Sequence, residues 1–188
     1  MEKKMLDNLV YLTATMTSDS KNSSLMTLGA IVKGKGDVNE IFYAECSMYD
    51  SQNLDNVGKE IESNFLLSKA RTASSVIRNE NDNIFFVRGN YGEIFGKLAD
   101  WVKQIKELKS TDEIRFVTSL SLHELAVLHN AIPLNELEGT DENILDLRTL
   151  MFSIGSEDLV KGRKDEIRST TIHDLKYHNH ALNIYKFA

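Results

Sequence analysis

The chain has 188 residues, which at about 150 residues per domain predicts one domain. Hydrophobic residues make up 41%, enough for a real core, so a disordered or fibrous chain is excluded. Twenty-two Lys and Arg against 28 Asp and Glu give a formal charge of −6, which argues against wholesale coating of nucleic acid or an anionic membrane. Leu9 to Thr15 is β-branched and apolar and predicts a buried strand. Leu25 to Val32 predicts a second, after a polar loop over Ser18 to Ser24. The turn Lys33-Gly34-Lys35-Gly36-Asp37 then leads into a third strand over Glu40 to Ala44, closing a hairpin. Asn53 to Leu67 has mixed helical spacing, and Asn79 to Asn83 reads as a loop. The most regular helix is Tyr91 to Leu108, in which Ile94, Leu98, Trp101, Val102, Ile105 and Leu108 form one stripe of a 3.6-residue period.

Ile114 to Thr118 predicts a short strand. Ser121 reads as the N-cap of a helix through Asn130, with Glu124 three residues on completing a capping box. A polar loop over Asn135 to Asn143 precedes a short helix, Leu145 to Phe152. Lys161 to Thr171 reads as a loop and Asp174 to Phe187 as a last helix. The order β-β-β-α-β-α-α predicts a single α/β domain over residues 1–188, a mixed sheet in which an antiparallel three-stranded meander carries a parallel strand, with helices on both faces. No G-x-G-x-x-G or G-x-x-x-x-G-K-[ST] follows a strand, which argues against a doubly wound nucleotide fold.

Cys46 is the single cysteine, so neither an intrachain disulfide nor a cysteine-based zinc cluster is available. Pro133 is the only proline, and no proline-rich linker marks a boundary. Met1 to Asp7 carries charges and is not followed by a signal-peptide core, and no run has the length of a bilayer span. These features predict a soluble cytoplasmic protein with no membrane partner.

The layout resembles the DEDD-type 3′–5′ exonucleases, a branch of the ribonuclease H-like fold, most closely their phage and exonuclease VIII-like members. Leu9 to Thr17 sits where that family has an apolar strand ending in Asp-x-Glu-Thr. Leu25 to Val32 is similar to its second strand, of the form I-x-x-I-G-A-V, and Phe42-Tyr43-Ala44 to its third. Asp146-Leu147-Arg148-Thr149-Leu150 looks like its Asp-x-Arg-Thr-Leu segment. His173 to His178 lies where the family has His-x-Ala-x-x-Asp. Family members hydrolyse phosphodiesters with two divalent cations held by four carboxylates.

The resemblance puts Thr13 and Thr15 at the Asp-x-Glu positions, His123 (or Glu124, with the register moved by one) at the third acid, and His178 at the fourth. His173 keeps the type of the family's general base, as a vestige. Hydroxyls carry no charge and imidazoles are poor magnesium ligands, so the resemblance implies the fold while the residues argue against the reaction. No cofactor is expected. Mg or Mn enters only under an alternative reading, an active 3′–5′ exonuclease with non-standard ligands such as His123, His178 and Glu124. The basic residues Lys161, Arg163, Lys164 and Arg168 flank the substrate groove in the resembled family, and could contact a phosphate backbone. The favoured expectation is a pseudo-nuclease that binds protein or nucleic acid. A dedicated inhibitor or assembly factor is the third class. Few prolines and many Asn, Lys and Asp fit a phage accessory protein, working in the host cytoplasm.

Overall fold

In the computed structural model the described residues are 8–18, 22–34, 38–56, 58–59, 62, 74–78, 80–141 and 143–156. They contain seven strands, a helical stretch at residues 56, 58–59 and 62, and three further α-helices: β1 (Leu9–Met16), β2 (Leu25–Lys33), β3 (Asn39–Cys46), β4 (Ser74–Arg78), β5 (Asp82–Gly89), α1 (Tyr91–Lys109), β6 (Arg115–Thr118), α2 (Leu122–Ala131), β7 (Leu145–Asp146) and α3 (Leu147–Ser153). One mixed sheet has the order β4-β5-β3-β2-β1-β6-β7. β1, β2 and β3 form an antiparallel meander, with Thr13 opposite Gly29 and Gly29 opposite Tyr43. β6 lies parallel to β1, with Leu9 to Leu12 beside Arg115 to Thr118, and β7 lies parallel to β6. The meander and its parallel neighbour follow the predicted order.

Period-two alternation in these strands sorts the core into two layers. Val10, Leu12, Phe42, Ala44 and Phe116 point to one face, where α1 covers them with Ile94, Leu98, Trp101, Val102 and Ile105 and α2 adds Leu128. Leu9, Tyr11, Ile31, Ile41, Tyr43, Phe86 and Val117 point to the other, where α3 contributes Leu147 and Met151. α1 starts at a capping box in which Asn90 accepts from the Glu93 N–H and Glu93 accepts from the Asn90 N–H. A Cβ at Gly89 would collide with the Glu93 carboxylate, so the box needs glycine there. α2 has the predicted box between Ser121 and Glu124.

The sequence reading differs from the structure at three places. Asn79 to Asn83 is expected as a loop, yet β5 begins at Asp82, and β4 and β5 extend the sheet beyond β3. Polar residues hide this start, because their side chains are bonded across the strand pair: Asn39 Nδ2 donates to Asp82 at 2.8 Å and Asn83 Nδ2 to Glu40 at 2.8 Å. Ile84-Phe85-Phe86-Val87 then supplies the apolar centre. Leu145 and Asp146 are extended where a helix is expected, since Asp146 is the N-cap and the helix starts at Leu147. Of the helical stretch expected over Asn53 to Leu67, Asn53 belongs to a 3₁₀ turn, Ser51–Asn53, residues 56, 58–59 and 62 are helical, and most of the others lie outside the described residues. So do the loop over Lys161 to Thr171 and the helix over Asp174 to Phe187. Among the described residues no helix is long and apolar enough to cross a membrane.

Candidate functional site

Parallel strands β1, β3, β5, β6 and β7 end on one edge of the sheet, and the positions of the resembled family's first two acids lie there. Thr13 and Thr15 alternate with Leu12 and Ala14, so both point to the face that carries Tyr11 and Tyr43. Thr13 is 4% exposed and Thr15 half-buried. The register continues each of them across the sheet. Thr15 pairs with Thr27, Thr27 with Glu45 and Glu45 with Arg88, so four polar residues on four neighbouring strands form one row. Within it, the Thr15 and Thr27 hydroxyls are bonded to each other at 2.7 Å.

Glu45 is 1% exposed, and the Tyr43 hydroxyl donates to its Oε1 at 3.3 Å. Burial first, then the neighbouring Glu45 charge and hydrogen bond, push the Tyr43 phenol far above the usual tyrosine range. Tyr49, on the loop after β3, donates to Glu62 Oε1 at 2.5 Å. Its phenol is pushed up to about 12, by burial and then by Glu62, while Arg88 pulls it down and Glu45 pushes it up. Tyr49 therefore feels both charged members of the row, Glu45 and Arg88.

The end of β6 joins the same face through Ser119, whose Oγ and the Tyr11 hydroxyl are 2.8 Å apart. Arg148 Nη2 donates to the Ser119 carbonyl at 2.5 Å. Asp146 accepts from the Arg148 and Thr149 N–H groups and from the Thr149 hydroxyl. The segment Asp146-Leu147-Arg148-Thr149-Leu150 thus has a local explanation: its acid caps α3, its arginine ties α3 to the β6–α2 loop, and its leucine Leu147 fills the core.

The structure brings Thr13 and Thr15 to one face and adds Glu45 and Arg88, which the sequence reading omits. His123 stands exposed on the first turn of α2, a helix whose buried Leu128 packs on the opposite face of the sheet. Glu124, its neighbour, has Oε2 engaged by the Ser121 N–H at 2.7 Å. His173, His178, Lys161, Arg163, Lys164 and Arg168 lie outside the described residues. Among the described residues no three His, Cys, Asp or Glu side chains are grouped so as to hold a metal ion. Thr13 and Thr15 bring neutral hydroxyls and no anionic oxygen. Hard divalent ions at close range need several anionic oxygens, and this row offers hydroxyls, one carboxyl group and a guanidinium. No protein-family model and no curated protein matches the chain.

Proposed function

We propose that this is a catalytically degenerate protein of the ribonuclease H-like, DEDD exonuclease fold. It works by binding a protein or a nucleic acid rather than by cutting phosphodiesters, as a phage accessory or inhibitor protein in the host cytoplasm. The antiparallel meander with β6 parallel to β1 is the layout that the resemblance implies, and it supports the fold reading. The observation that carries the functional reading is the hydroxyl pair Thr15–Thr27, at 2.7 Å, with Thr13 buried beside it. Where the family concentrates negative charge to hold two mutually repelling cations, this chain has neutral oxygens satisfied by neighbours. Neutral hydroxyls do not offset that repulsion or activate water as a metal pair does.

The test is a gel assay with labelled single- and double-stranded DNA and RNA in Mg²⁺ and in Mn²⁺, read beside a binding assay on the same substrates. No cleavage is expected. Cleavage that follows the protein peak through gel filtration and disappears in His173→Ala would overturn the proposal. The enzyme with non-standard ligands would then replace it.

A further inference from the structure

We draw no further inference here: the strongest candidate, the polar row of Thr15, Thr27, Glu45 and Arg88 across the carboxyl edge of the sheet, belongs to the site already described.

Discussion

Trp101→Ala probes the layer between α1 and the sheet. Trp101 is 2% exposed and lies between Leu98 and Ile105 on the apolar stripe of α1. Its ring centroid is 6.0 Å from that of Phe42 at an interplanar angle of 51°, and Phe42 in turn stacks on Phe85 at 6.2 Å. Removing the indole loses transfer free energy and one ring contact, and leaves a void that the rigid strand β3 beneath it closes poorly. Buried Trp or Phe to Ala typically costs about 3–5 kcal/mol. An aromatic pair of this tilted kind adds about 0.5–1.5 kcal/mol beyond area, so the upper half of that range is expected. Against a typical total stability of about 5–15 kcal/mol the variant is still able to fold. The assay is urea denaturation followed by far-ultraviolet circular dichroism, since the substitution removes the only tryptophan fluorophore. With an m-value of about 2 kcal/mol/M, the midpoint should fall by roughly 2 M at unchanged slope. Lys103→Ala, on the exposed side of the same helix, should change stability by no more than about 0.5 kcal/mol. A loss below about 1 kcal/mol for Trp101→Ala would mean that the helix does not face the sheet through this stripe.

Three further expectations concern the edge of the sheet. Spectrophotometric titration of the six tyrosines should show Tyr49 ionising near pH 12 and Tyr43 only as the chain unfolds. Because these folded-state values lie above the ordinary value of 10, their contribution to stability is complete below pH 10 and is lost as pH rises through the folded value. A single transition near pH 10 with unchanged circular dichroism would refute both placements. Asp146→Ala should cost about 1–2 kcal/mol by urea denaturation, through loss of the α3 cap. Arg148→Ala should cost about 0.5–1.5 kcal/mol through loss of the bond to Ser119. Equality of both variants with wild type would show that this segment does not anchor the helix.

What could be read from the sequence follows the range of the forces involved. The stripe of α1, both capping boxes and the apolar meander are local patterns, and each is legible residue by residue. The start of β5 is not, because the polarity of Asp82 and Asn83 is neutralised by Asn39 and Glu40, some forty positions earlier in the chain. Glu45 and Arg88 are likewise placed only by pairing across the sheet. The apolar run predicts a third strand that ends at Ala44, and only the register of β3 against β2 and β5 puts Glu45 in line with Thr27 and Arg88. Alternation from Ile41 through Tyr43 held the available signal, since it assigns the next odd position to the same face. Thr13 and Thr15 were found by resemblance, yet their environment, one buried and one bonded to Thr27, depends on pairing that the one-dimensional pattern does not contain.

Reversal of the proposed loss supplies the sharpest check on this environment. In Thr13→Asp/Thr15→Glu, two carboxylates enter a face where Thr13 is 4% exposed and Glu45 is 1% exposed. Without a cation the new charges are desolvated, and they stand on the same face as an existing carboxyl group two strands away. Thr15→Glu also breaks the hydroxyl pair with Thr27. An effective desolvation cost of several kcal/mol per buried ion makes the metal-free double variant markedly less stable than wild type, with carboxyl groups that titrate above their ordinary range. The same variant gathers anionic oxygens on one face, so a divalent cation that binds only the folded form should recover stability. At a hundredfold excess over its dissociation constant that recovery is about 2.7 kcal/mol. Thermal unfolding with Mn²⁺, with Mg²⁺ and with chelator separates the two effects. The expected pattern is a lowered melting temperature in chelator, a concentration-dependent rise with Mn²⁺ in the double variant, and no such rise in wild type. A double variant as stable as wild type in chelator would place Thr13 in open solvent and refute its burial. Mn²⁺ stabilisation of wild type equal to that of the variant would show that hydroxyls at 13 and 15 do not prevent cation binding, and would refute the pseudo-nuclease proposal.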